Sequence, residues 1–102
     1  MEGALEEAVR HCSTREQFGR PLAKHGPVAT ILADSWSDLE SSRLLTYQTA
    51  AMAADDPEGN LDRSSLAKLT ATEAATRVVD RCVQSMGRWG LIRGSKIEKY
   101  YR

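Results

Sequence analysis

Two guanidiniums, an amide and an aromatic ring fall within eight residues, Arg15-Glu16-Gln17-Phe18-Gly19-Arg20-Pro21-Leu22. Arginine is the side chain best shaped for bidentate contact with phosphate, and a flat Phe18 beside it could cover an aromatic ring or a hydrophobic partner. Gly19 can take a positive φ and Pro21 forbids helix continuation, so the stretch reads as the corner that closes a first helix, with Arg15 on the last helical turn. The plain alternative is a capped helix end with solvated arginines.

Elsewhere the chemistry is sparse. No Gly-rich phosphate loop follows a strand, no carboxylate pair is fixed by spacing, and Arg88-Trp89-Gly90 is not a dinucleotide fingerprint. Cys12 and Cys82 are isolated, and His11 and His25 lack a second ligand at helical spacing, so the reading is two reduced, buried thiols, no metal site and no catalytic set. The 14 basic and 14 acidic residues cancel, which gives no reason to expect nucleic acid or an acidic membrane as partner. No apolar run is long enough to span a bilayer. The chain reads as soluble, intracellular and cytoplasmic. The anion-ready turns suit binding rather than bond-breaking.

These turns must be held by helices. With 102 residues the chain can hold one core, and strand signals are nearly absent, so the expected fold is all-α, an antiparallel up-and-down bundle. A first helix is expected from about Glu2 to Glu16 with Ala4, Leu5, Ala8, Val9 and Cys12 on one face. A second should run from about Gly26, with Pro27 in its first turn, to about Ala54. Its apolar positions (Val28, Leu32, Trp36, Leu39, then Leu44, Tyr47, Ala51) drift round the axis. Asp55 to Asn60 is the clearest loop. A third helix, from about Asp62 to Met86, has Ala67, Ala71, Ala74 and Ala75 for close packing, with Leu66, Leu69, Val78, Val79, Cys82 and Val83 as bulk. Ser95-Lys96-Ile97-Glu98 fits a capping box, opening a fourth helix that reads as truncated at Arg102.

The ordered set of motifs resembles the C-terminal helical domain of acyl-CoA dehydrogenases. Arg15 to Leu22 is similar to the signature near its start. After it come Leu39-Glu40-Ser41-Ser42-Arg43-Leu44, Ala67 to Ala75, Val83-Gln84-Ser85-Met86-Gly87-Arg88-Trp89-Gly90-Leu91 and Ile97 to Arg102, in family order. The resemblance implies a domain over residues 1–102, incomplete at both ends, from an FAD-dependent enzyme of fatty acid metabolism that dehydrogenates an acyl-CoA thioester. It implies a homo-oligomer, a dimer or tetramer, with Arg15, Gln17 and Phe18 reaching the FAD of a neighbouring subunit and Gln84, Gly87 and Arg88 lying on the same cofactor. Arg88 stands where the family commonly has a second glycine, which leaves close backbone approach open there or offers a direct phosphate contact instead. The family's catalytic glutamate lies outside these residues, so the chain alone is expected to be inactive and the acyl-CoA to bind only the full-length parent. A related flavin oxidase or monooxygenase, or a helical oligomerisation module without activity, stays open as an alternative.

Overall fold

A computed structural model describes Met1–Arg102. Five helices carry the chain: α1 (Glu2–Thr14), α2 (Gly26–Asp55), α3 (Leu61–Met86), α4 (Arg88–Leu91) and α5 (Lys96–Tyr101). Two two-residue strands, β1 (Glu16–Gln17) and β2 (Arg20–Pro21), and a 3₁₀ turn (Leu22–Lys24) lie between α1 and α2. The all-α expectation holds. Helices α2 and α3 form a long antiparallel hairpin, and α1 packs across one half of it together with α5.

The core sits where these four helices meet: Ala4, Leu5, Ala8, Leu39, Val78, Val79, Cys82 and Ile97 form one buried cluster. Alanines at 4 and 8, one turn apart, bring α1 close to its neighbours. Ser95 caps α5, its Oγ accepting from the Glu98 backbone N–H at 3.2 Å. Glu98 reaches back, but to the Gly94 N–H at 3.5 Å rather than to that of Ser95. The cap sets Ile97, 1 % exposed, into the core.

The other half of the α2–α3 hairpin has no third helix. Its closing loop is tied by Asn60, whose Nδ2 donates to the carbonyls of Met52 at 3.2 Å and Asp56 at 2.7 Å. The Met52 carbonyl also accepts the Asp56 N–H at 3.1 Å, so Asn60 adds a second bond there and ties the Asp56 carbonyl past the helix end. The molecule is a slab of 55 × 27 × 15 Å, and only 17 of its 102 residues are buried. A slab that thin leaves one face of nearly every helix to solvent.

Several expectations are corrected. Helix α1 ends at Thr14, whose Oγ1 donates back to the carbonyls of Arg10 and His11, so Arg15 stands past the last turn as the C-cap. Gly19 turns a hairpin rather than closing a helix: Glu16 pairs with Pro21 and Gln17 with Arg20. The stripe of α2 does not drift within this chain. Its buried positions are Ser35, Leu39, Ser42 and Thr49, a heptad-like line, while Trp36, Leu44 and Tyr47 face solvent. The Ser35 hydroxyl is satisfied there by the preceding turn, donating to the Ile31 carbonyl at 2.7 Å, whereas the buried Ser42 hydroxyl has no partner. Leu66 and Leu69, expected as core bulk, are exposed, and Val9 is half-exposed. No helix is long and apolar enough to cross a membrane.

Candidate functional site

The ends of α1 and α3 and the start of α2 gather at one pole of the slab, and the hairpin β1–β2 stands on it. The Leu22 N–H donates to the Arg15 carbonyl at 2.8 Å, closing the hairpin base. Its two turn residues, Phe18 (φ 53°) and Gly19 (φ 78°), both lie in the left-handed region, as the tight turns matching strand twist require. Glycine takes that conformation freely. Phenylalanine does not, at a cost on the order of 1–2 kcal/mol. Phe18 recovers little of it by packing: it is 94 % exposed, with one edge-to-face neighbour, His25, 6.2 Å away between ring centroids. His25 in turn donates from Nε2 to the Gln17 carbonyl at 2.9 Å, which braces the strand under the ring. Backbone strain held at an exposed aromatic is an outlier that points to function.

Behind the hairpin, α1 and α3 are pinned together by Cys12, whose thiol donates to the Ser85 carbonyl at 3.7 Å. Burial pushes the Cys12 thiol up and Cys82 to about 11, so both are inert, unpaired thiols. Helix α3 stops at Gly87, whose φ of 56° disfavours any side chain, and the next residues turn into α4. Gly90 lies directly on α3: a Cβ there would be 2.9 Å from the Val83 carbonyl oxygen and 3.0 Å from its Cα. This contact seats α4 and presents Trp89.

A shallow cleft of about 350 Å³ results, lined by His11, Thr14, Arg15 and Trp89. Across the indole, the Arg88 guanidinium lies 5.1 Å from the ring centroid. Of the six residues expected at the site, Arg15 lines the cleft and Arg88 flanks it. Gln17 and Phe18 sit on the hairpin beside it, and Gln84 and Gly87 at the end of α3; none of these four lines it. Trp89 and His11 were not foreseen as site residues. His11 had a signal, since one helical turn separates it from Arg15; Trp89 had none, because its placement depends on Gly90.

Six of the fourteen basic side chains are paired with carboxylates, and those at this pole are not among the six. Ion pairs elsewhere are well made: Asp38 with Arg77 and Arg81, Glu2 and Glu40 with Arg43, Glu7 with Lys96 and Arg10, Glu98 with Arg102. Arg15, Arg20 and Arg88 have no carboxylate within 4.0 Å. Burial holds His11 below the usual imidazole range, and the neighbouring Arg15 charge adds to that. The pole thus offers the Arg15 and Arg20 guanidiniums, the Phe18 ring and Glu16 on the hairpin, and the Trp89 face in the cleft. It contains no nucleophile or base arranged for bond-breaking, and no group of His, Cys, Asp or Glu side chains could hold a metal ion.

Comparison with known proteins gives a consistent picture. The family model described as acyl-CoA dehydrogenase, C-terminal domain, matches residues 1–102. The chain is 39 % identical over 101 residues to the mitochondrial short-chain specific acyl-CoA dehydrogenase of Rattus norvegicus, covering 99 % of this chain and 24 % of that one. It is 38 % identical over 101 residues to cyclohex-1-ene-1-carbonyl-CoA dehydrogenase of Geobacter metallireducens, covering 99 % and 27 %. The three-dimensional structure of butyryl-CoA dehydrogenase from Megasphaera elsdenii superposes with a TM-score of 0.85 at 32 % identity, over 98 % of this chain and 26 % of that one. The chain thus spans about a quarter of the length of the relatives it matches. With the family model matching the whole chain and the fold agreeing over 98 % of it, the protein belongs to the acyl-CoA dehydrogenase C-terminal domain family.

Proposed function

We propose that this chain serves as the C-terminal helical, cofactor-contacting and oligomerising portion of an FAD-dependent acyl-CoA dehydrogenase, with the catalytic base and the acyl-CoA site supplied by other parts of that enzyme. The observation that supports this reading is the strained, exposed Phe18 on a hairpin that also carries Arg15 at its base and Arg20 in its second strand. The residues fit the group: a dinucleotide carries phosphate oxygens for Arg15 and Arg88 and planar rings for Phe18. Gln17 and Gln84, both exposed, are placed to offer amide hydrogen bonds, and Gly87 keeps the backbone beside them bare. FAD, when bound, supplies the two-electron acceptor. The chain's own residues bind and orient.

Oligomerisation is part of the same proposal. On the half of the α2–α3 hairpin that lacks a third helix, Leu44, Tyr47, Leu66 and Leu69 are each more than half exposed. A groove there is lined by short side chains, Thr46, Thr49, Ala50, Ala53, Ser64 and Ala67 among them, with Lys68 the one long one. Exposed bulk around a small-residue groove suits the close approach of helices from a second copy, in a homodimer or homotetramer. Light scattering at tens of micromolar, roughly the range where such association is seen, should report a dimer or larger; a clean monomer would remove this part of the proposal.

The cofactor role is tested in the dehydrogenase that carries this domain, by comparing Arg15→Ala with Arg10→Ala. Arg10 is already paired with Glu7 on the far side of the helix turn. Loss of a charge-assisted bond to phosphate costs about 1.5–3 kcal/mol, a drop of roughly tenfold to hundredfold in FAD affinity. Arg15→Lys keeps charge without the planar fork and should recover part of it. Equal flavin occupancy in folded Arg15→Ala and Arg10→Ala proteins would overturn the reading.

A further inference from the structure

The cleft at the end of α1 contains one group that the proposed cofactor role does not use, the His11 imidazole. It lies one helical turn before Arg15, and the two side chains share the cleft with Thr14 and Trp89. The Thr14 hydroxyl is already committed to the Arg10 and His11 carbonyls. Arg15 is the one charged group that bears on His11; Glu7, a turn earlier on the same helix, is engaged by Lys96 and Arg10, and α4 contributes to the cleft only Trp89, with Arg88 beyond its ring. No carboxylate is present to hold a proton on the imidazole. Empty of anion, the cleft disfavours the protonated ring, through burial first and then through Arg15.

We propose that this cleft is a proton-linked anion subsite: a phosphate-like dianion or diester seated against Arg15 draws a proton from solvent onto His11, and the resulting imidazolium becomes a second cation beside Arg15. The inference rests on the reading that Arg15 receives a phosphate and adds the regulation of that contact by pH. An anion at Arg15 cancels the repulsion that the guanidinium exerts on a protonated ring and replaces it with attraction. An opposite charge within a few ångströms raises an imidazole's titration point by about 1–3 units. By linkage, the same anion binds roughly tenfold or more tightly below that point than above it.

Sulfate is the probe, because its charge is constant from about pH 5 to pH 8, a range that covers imidazole titration. The histidine ring resonances of the folded chain are titrated with sulfate and with chloride at matched ionic strength. His25, hydrogen-bonded under the hairpin turn, is the internal reference. Sulfate should raise the His11 midpoint by about one unit and leave His25 unmoved. Its affinity should fall several-fold, and by no more than about tenfold, between about pH 5.5 and pH 7.5 in the wild type, and stay flat in His11→Gln. In Arg15→Gln both the affinity and the midpoint shift should be lost. Sulfate that binds through Arg15 with the His11 midpoint unmoved would overturn the proton linkage while leaving the phosphate reading intact. Binding that survives in Arg15→Gln, an equal shift of both histidines, or no binding at all would mean an adventitious ion only, or none, and would overturn the subsite. The FAD occupancy of Arg15→Ala decides the cofactor reading separately.

Discussion

Replacing Gly90 by alanine tests how the pole is built. The added methyl would sit 2.9 Å from the Val83 carbonyl oxygen and 3.0 Å from the Val83 Cα. Both are backbone atoms of α3, well inside van der Waals contact, so they cannot swing aside as a side-chain end would. Either α4 lifts from α3 or the last turns of α3 bend. Overpacking of this kind costs about 1–3 kcal/mol, against which alanine regains up to about 1 kcal/mol of helix propensity. The net expectation is a loss of about 1–2 kcal/mol, each kilocalorie being worth about 4–8 °C of melting temperature in a domain this size. The control is Gly26→Ala, where an added Cβ meets nothing within 4 Å in the first turn of α2; it should be neutral or slightly stabilising. Urea unfolding of both variants, followed by circular dichroism, measures the difference, and Trp89 fluorescence reports the lifting of α4. A Gly90→Ala protein with the wild-type midpoint and wild-type Trp89 emission would refute the account of Gly90 as the residue that seats α4.

Ser95→Ala removes the oxygen that accepts the Glu98 N–H and should cost about 0.5–2 kcal/mol in thermal unfolding; Ser95→Asp, which can still accept that bond, should lose much less. Stability should fall on both sides of neutrality. Arg77 and then Arg81 hold Asp38 low, Lys96 and then Arg10 hold Glu7 low, and Arg102 holds Glu98 low. These pairs stabilise above the ordinary carboxylate values of 3.8 to 4.5 and are lost as pH falls through the lowered ones. His11, held below its ordinary 6.5, resists protonation only when folded, so its effect begins earlier, as pH falls below that value. At high pH, Cys82 contributes in the opposite sense: its stabilisation is complete below the ordinary thiol value of 9.0 and is lost as pH rises toward about 11. A urea midpoint unchanged between pH 7 and pH 4 would contradict the acid side.

The helices were legible because their signals are local. Pro27 in a first turn, the Asp55 to Asn60 loop and the serine at 95 each mark an end by their own chemistry, and the structure places α2, α3 and α5 within a residue or two of those marks. The hairpin at 16–21 was not legible. Its strands are two residues long, too short for alternation to show, and its turn carries Phe-Gly where a tight turn ordinarily announces itself with Asn-Gly. The burial pattern of α2 also escaped, because hydrophobicity marks candidates for a core without saying how many cores there are. Trp36, Leu44 and Tyr47 are large and largely apolar like Leu39, yet only Leu39 is buried in the cluster with α1. As for the candidate site, the guanidiniums could be read from the sequence. Their lack of partners could not, since it depends on where every carboxylate is spent.

The core cluster joins the two extremes of the chain: Ala4, Leu5 and Ala8 from α1 are covered in part by Ile97 from α5. During synthesis this has a temporal meaning. At translation rates of about 5–20 residues per second, the apolar stripe of α1 leaves the ribosome on the order of 5–20 s before the residue that completes its cover. The long α2–α3 hairpin, closed by a short loop, can form in the interval and present Leu39, Val78 and Val79 as a partial seat. The first helix therefore waits on the last, and a nascent chain paused before Ile97 exposes the surface that its helpers in the cell would have to shield.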